Sequence, residues 1–201
     1  MTRPRPIARL EVTLADVEPK VVRRVDVPLK IRLDRLHLVM QAAMGWTNSH
    51  LFAFTVGGTS WGVADPDFDD DTLPASEVTL SDLVEDTGTR TFHYLYDFGD
   101  DWDHVVRLER VFDADPLERY PQLVMAEGRC PPEDVGGPPG YAEFLQAIAD
   151  PDHEEHEHLL GWCGGSFDPA DPGLERLLAD LDRLAKRWAP RPRQPKTPPR
   201  T

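Results

Sequence analysis

The sequence predicts an α+β fold: a mixed or mainly antiparallel sheet with helices packed on it and a helical appendage at the C-terminus. Three observations predict it. Apolar residues near the N-terminus recur at every second position, the period of a half-buried strand. From Leu33 the apolar period changes to that of a helix. Just before Ala189 a long helical stripe appears in Leu174, Leu177, Leu178, Leu181, Leu184 and Trp188. The chain has 201 residues, 40% of them hydrophobic, enough to bury a core without disulfides or a structural metal.

The first segment reads as a hairpin. Ala8, Leu10, Val12 and Leu14 alternate with Arg9, Glu11 and Thr13. A turn near Asp16 to Pro19 leads to a second strand, with Val21, Val25 and Val27 on one face and Pro28 at its end. Leu33, Leu36, Met40, Ala43 and Met44 then mark a helix, and Gly45 is its left-handed stop. "HLFAFTV" reads as a strand with Leu51, Ala53 and Thr55 on one face and Phe52, Phe54 and Val56 on the other. Gly57-Gly58 makes a turn, and "SWGV" returns as a short strand. The acidic "ADPDFDDDTLPASE" has no hydrophobic period and reads as a loop. As a calcium site it lacks the spaced Gly and the terminal Glu of an EF-hand.

"TLSDLVEDTG" reads as short helical turns. "TRTFHYLYDF" and "WDHVVRLERVF" are the clearest hairpin, with the turn at Gly99-Asp100. A two-residue loop sets Asp97 opposite Trp102 and Leu95 opposite His104. His93, Leu95, Asp97, Trp102, His104 and Val106 then share one face, and Phe92, Tyr94, Tyr96 and Phe98 the other. "CPPEDVGGPPG" is expected to be a stiff loop rather than a helix or inner strand. Tyr141, Phe144, Leu145 and Ile148 mark the next helix, and "PDHEEHEHLLGW" a short one. Asp171 is expected to cap the last helix, with Pro172 at its first position. Residues 1–189 read as a single domain and 190–201 as a disordered, basic, Pro-rich tail.

Charge and composition exclude several roles. The formal net charge is −14, which repels phosphate backbones, so specific duplex DNA is not an expected partner. Lys and Arg gather only in Arg3-Pro4-Arg5 and from Arg187 to Arg200. Two cysteines, Cys130 and Cys163, make no disulfide framework and fit a reduced, cytoplasmic setting. With no apolar signal core and no run of membrane-spanning length, no membrane association is expected.

"YLYDFGDDWDH…LE" followed by "CPPEDVGGPPGY" resembles the plasmid pRi-type open-reading-frame-three-like family, whose members are often described as insertion-element passenger proteins of TnpR type. "VVRRVDVP…LHLVMQAAMGWTNSHLFAF" resembles the N-terminal half of the same family. The likeness runs from about Ile7 to Trp162. It implies an α+β fold and a link to plasmids or mobile elements, but no reaction. A serine recombinase needs an activated Ser with arginines on the scissile phosphate. Ser49, Ser60, Ser76, Ser81 and Ser166 all lie away from any Arg cluster.

The hairpin and the Pro-Gly loop together form the candidate pocket. The hairpin offers Tyr96, Asp97, Asp101, Trp102, Asp103 and His104, and the loop Cys130, Glu133, Asp134, Gly136 and Gly137. Carboxylates, an imidazole and a rigid wall suit a ligand or a divalent metal. The plainer alternative makes Asp100 and Asp101 turn residues, Asp97 a pin for the loop, His104 a donor to a carbonyl and "CPPED" a scaffold corner. His104, Cys130, Cys163 and His156 are weak zinc candidates, because their spacing matches no standard pattern. His153 and His158 belong to the same acidic helix face as His156, and no cofactor is expected outright. Trp46 is expected to plug the core, with Asn48 and His50 pinning the turn after Gly45; the alternative is a polar cluster that borders the same pocket. The expected function is a non-enzymatic cytosolic binding or accessory module for a protein or small-molecule ligand. A metal-dependent hydrolase built on the hairpin carboxylates and His104 is the alternative, and a DNA-binding mobile-element protein the third.

Overall fold

The computed structural model describes residues 5–63 and 71–189. Part of the acidic loop weighed for calcium (64–70) and the tail (190–201) lie outside the described residues. In chain order the elements are β1 (Pro6–Leu14), β2 (Val22–Pro28), α1 (Leu33–Met44), β3 (Phe52–Val56), β4 (Thr59–Gly62), β5 (Leu73–Pro74), α2 (Leu80–Thr87), β6 (Thr91–Tyr96), β7 (Trp102–Asp113), β8 (Gln122–Glu127), α3 (Gly137–Ala149), α4 (His156–Trp162) and α5 (Leu174–Trp188). The strands form one eight-stranded sheet, ordered β5-β4-β3-β6-β7-β1-β2-β8. Only β4 and β5 run parallel, so the sheet is mixed and mainly antiparallel, and the fold is α+β.

The alternation read in the first strand sets the two faces of the sheet. Ala8, Leu10, Val12 and Leu14 are buried and pair across to Val27, Val25, Arg23 and, through β7, His104. The opposite face carries a charge lattice. Arg9 is bidentate to Asp26, and Glu11 accepts from both Arg24 and Arg107, which holds its carboxyl below the usual range. An antiparallel sheet with one face on a core and one in water takes this form. Helix α1 covers the apolar face with Leu33, Leu36, Val39, Met40, Ala43 and Met44. It ends at Gly45 in the left-handed conformation, φ 85°. Helix α2 starts in a reciprocal capping box, Thr79 with Asp82, and closes at Gly88.

Three expectations need correction, and one stretch the sequence left unassigned gains an element. The central hairpin has a five-residue tip, Asp97–Asp101, closed by the pair Tyr96↔Trp102. The Asp97 carboxylate accepts from the Gly99 and Asp100 amides at 3.0 and 3.4 Å. Asp97 and Asp101 both take positive φ, 57° and 59°, which Asp tolerates better than most residues. His104 therefore opposes Tyr94 instead of Leu95, and a one-residue slip exchanges faces. Tyr94, Tyr96, Trp102 and His104 all lie on the buried face, while Asp103 goes to the outer face with His93.

Second, the stretch before the Pro-Gly loop, to which the sequence assigns no element, forms the edge strand β8, only half buried along its length. Third, α3 absorbs the Gly137-Pro138-Pro139-Gly140 end of the predicted loop. The first turn of a helix has no use for those amide protons, so proline is admitted there. Fourth, α5 begins at Leu174 behind a Gly173 cap, and Asp171 pins the preceding turn by accepting from the Gly173 amide at 2.9 Å. Of its stripe, Leu177 and Leu181 are buried with Ala185. Leu174 and Leu178 are 46% and 45% exposed, so the buried face is narrower than the apolar one.

Candidate functional site

Three segments distant in sequence meet at one end of the sheet: the stretch after α1 (46–51), the tip of the β6–β7 hairpin, and the Pro-Gly loop before α3. Trp46 joins them. Its ring stacks on Tyr96 at 5.0 Å and meets His104 edge-on at 5.3 Å, and its indole N–H donates to Pro131 O at 2.9 Å. Trp46 thus fills the core and also ties down the Pro-Gly loop. Asn48, at φ 62°, turns the chain by donating its amide to Gln41 Oε1 at 3.0 Å.

Glu133 is the clamp. One oxygen accepts the Tyr96 hydroxyl at 2.7 Å. The other accepts the Thr47 amide at 2.9 Å and also the Thr47 hydroxyl. Tyr96 in turn accepts from the Ser49 amide at 2.9 Å, so a single phenol links all three segments. Burial first, and then the Glu133 carboxylate, push the Tyr96 phenol far above its ordinary range. The loop also presses directly on the hairpin tip. Gly136 donates its amide to Asp100 Oδ2 at 3.2 Å, and a Cβ at Gly137 would sit 2.4 Å from Asp100 O. Glycine at 137 is therefore required by close approach as well as by its φ of 69°.

Beside this clamp, His50 Nε2 lies 3.5 Å from Asp97 Oδ2 and 3.1 Å from Asp134 Oδ1. Asp134, like Asp97, sits at positive φ, 61°. Among the described residues, these three form the one group of His, Cys, Asp or Glu whose donor atoms all lie within 4.8 Å of one another.

Behind the site lies a buried polar chain. His37 stacks on Phe52 at 3.7 Å and bonds the Tyr94 hydroxyl at 2.7 Å through Nδ1 and Asn48 Oδ1 through Nε2. Gln41 donates to the same hydroxyl at 2.9 Å. Burial lowers His37 to about 4. His104 is wholly buried, and burial brings it likewise to about 4. Its Nδ1 is 2.9 Å from Tyr94 O and 3.0 Å from Trp102 O, so Nδ1 carries the proton. Its Nε2 has no hydrogen-bond partner.

The structure thus divides the sequence candidates. Tyr96, Asp97, Glu133, Asp134, Gly136 and Gly137 come together. Trp102 and His104 lie in the core beneath them, Asp101 points out from the tip, and Asp103 faces the far side of the sheet. Cys130 is buried, and burial raises its thiol far above the ordinary value. Cys163 donates to Leu160 O at 3.4 Å, and His156 Nδ1 bonds Ala147 O at 3.0 Å. His104, Cys130, Cys163 and His156 therefore do not assemble as a ligand set. Sequence reasoning missed Thr47 and ranked a turn role for His50 above a place beside the pocket, which is where the structure puts it. The available signal was the polar run Thr47-Asn48-Ser49-His50 set between an apolar helix and an apolar strand.

An open cleft of about 590 Å³ adjoins the clamp. Its lining includes Trp46, Pro131, Glu133 and Asp134 together with Trp162, Phe167, Asp171 and Arg176. Arg129, also in the lining, lies over the Phe167 ring at 4.4 Å. Among the described residues, no helix is long and apolar enough to cross a membrane.

Known proteins share this architecture. The chain is 51% identical over 189 residues to the Sinorhizobium fredii (strain NBRC 101917 / NGR234) "Uncharacterized protein y4hQ", covering 94% of this chain and 97% of the relative. It is similar to the crystal structure of the protein of unknown function MM3350 from Methanosarcina mazei Go1, with a TM-score of 0.74 and 32% identity over 84% of this chain and 97% of that one. Residues 6–176, which carry the sheet, the clamp and the start of the last helix, match the model of the plasmid pRiA4b ORF-3-like proteins, and the chain belongs to that family.

Proposed function

We propose that the protein is a non-enzymatic binding module that holds a small zwitterionic ligand, an amino acid or a peptide end, in the cleft beside the Glu133 clamp. The observation that carries this reading is the composition of the cleft's lining. Glu133, Asp134 and Asp171 offer carboxylates to an ammonium group, Arg176 offers a guanidinium to a carboxylate, and Trp162 and Phe167 offer aromatic surface. A volume near 590 Å³ falls within the range of small-molecule sites, roughly 300–1,000 Å³. Glu133 is braced by Tyr96 and Thr47, and Pro131 by the Trp46 indole, so little ordering is spent on binding. An accessory role on plasmids or mobile elements accords with the family's description.

The hydrolase alternative loses its imidazole. A general base must reach the proton it takes, and His104 is fully buried with its protonated nitrogen against two carbonyls. Direct DNA binding has the net charge of −14 against it.

A thermal-shift and tryptophan-fluorescence screen of free amino acids and dipeptides tests the proposal. At least one should raise the melting temperature in a saturable way, since ligand at 100 times its Kd adds about 2.7 kcal/mol. Arg176→Ala and Trp162→Ala, both at exposed positions, should abolish the shift without lowering the ligand-free melting temperature by more than a few degrees. Turnover of chromogenic esters or phosphoesters by the purified protein, lost in Asp97→Asn, would overturn it in favour of an enzyme.

A further inference from the structure

The geometry points to a divalent-cation site at His50, Asp97 and Asp134, of the kind that takes a first-row transition ion such as Mn²⁺, Co²⁺ or Zn²⁺. It does not rest on the cleft reading, because His50 and Asp97 lie off the cleft and only Asp134 touches its rim.

Two independent observations carry it. The first is convergence: one imidazole nitrogen and two carboxylate oxygens, each from a different segment, lie within 4.8 Å of one another. The second is that His50 Nε2 is shielded from solvent and has no hydrogen-bond partner. It lies 3.1 and 3.5 Å from carboxylate oxygens, yet neither contact has the alignment of a hydrogen bond. A buried polar atom without a partner is costly, and a cation between the three side chains would satisfy it while neutralising the two carboxylates.

The surroundings hold the His50 and Asp97 donors in place. Asp97 uses Oδ1 to accept from the Gly99 and Asp100 amides, which leaves Oδ2 toward His50. The Asp97 amide donates to Leu51 O at 2.9 Å, tying the tip to the segment that carries His50. The His50 ring stands edge-on to Tyr96 at 5.7 Å, and its backbone amide donates to the Tyr96 hydroxyl at 3.3 Å. Asp134 follows Glu133, whose carboxylate is fixed by Tyr96 and Thr47. Outer contacts of this kind orient metal ligands. One nitrogen and two oxygens suit the borderline first-row ions. Calcium prefers six to eight oxygens, more than this group supplies. Three protein ligands leave positions open to water.

The test uses the full-length protein, stripped with EDTA and dialysed. Co²⁺ is titrated by its visible absorption and Mn²⁺ by water-proton relaxation. Binding should saturate at one ion per chain, and tenfold excess Ca²⁺ should leave the Co²⁺ spectrum in place. His50→Ala, Asp134→Asn and Asp97→Asn should each weaken binding by at least about tenfold. The last keeps an oxygen for the turn, and the first two remove no hydrogen bond that braces the fold, so melting curves of these two should stay close to wild type. Absence of saturable binding, equal displacement by Ca²⁺, or unchanged affinity in any of the three variants would overturn the assignment.

Discussion

Arg23 is the residue whose burial is hardest to read from sequence. It stands between Val21 and Val25 on an apolar strand face, and it is wholly buried. Its guanidinium donates to four carbonyls, those of Ala43, Val22, Glu127 and Gly128, at 2.7 to 2.9 Å. Ala43 lies in the last turn of α1, where the helix end is negative, and burial lowers the Arg23 pKa from its ordinary value. Arg23→Met leaves those carbonyls without their donor and should cost about 3 kcal/mol in urea denaturation. The two buried histidines set a pH dependence. The folded chain keeps His37 and His104 neutral down to about pH 4, against an ordinary value of 6.5. The unfolded chain therefore takes up protons first as pH falls, and stability is full above about 6.5 and lost between there and 4. Each shift corresponds to about 3 kcal/mol. Urea midpoints measured from pH 7.5 to 4.5 should fall steeply, and His37→Gln should make the fall shallower. His104 was singled out in the sequence, as a donor to a carbonyl, but Arg23 and His37 did not announce themselves: a single His or Arg in an apolar period reads as a surface residue until its partners, here from α1, β6 and β8, are known.

At the scale of elements, the periods of β1, β2 and α1 were legible because each is set by local sequence. Arg9, Glu11 and Thr13 face outward where the alternation put them, and Gly45 stops α1 where a left-handed residue was expected. The central hairpin was legible as a hairpin but not in register. The two-residue turn read at Gly99-Asp100 gives way to a longer tip because the Asp97 carboxylate reaches two amides and the Pro-Gly loop leans on Asp100, neither of which a local turn pattern shows. That contact gives a paired prediction. Gly137→Ala meets Asp100 O at 2.4 Å in a left-handed backbone and should destabilise by at least about 2 kcal/mol. Gly161→Ala, inside α4 with nothing near its added Cβ, should be neutral or stabilise by up to about 1 kcal/mol. Thermal melts of both decide it. Equal effects would mean the loop yields readily from the hairpin tip.

For the molecule as a whole, composition foretold class better than arrangement. The excess of acidic residues predicts that a chain ending at Ala189 shows no specific duplex binding in anisotropy titrations at physiological salt. Removal of 190–201, with its five prolines and no apolar period, should leave the melting temperature within a degree or two of full length. The strand order was not legible, because β2 pairs with β8 and Thr47 with Glu133 at a separation of 86 residues, and no local pattern encodes a partner so far away. That separation bears on synthesis. A chain growing from the ribosome presents α1 and the hairpin well before Glu133 has been joined to it. Until Pro131 to Gly137 emerge, the Tyr96 hydroxyl lacks its carboxylate, the Trp46 indole lacks its carbonyl, and His50 and Asp97 lack Asp134. Nascent and truncated chains thus lack both the braced clamp and the third of the clustered side chains, and this end of the sheet is assembled only once translation has passed the Pro-Gly loop.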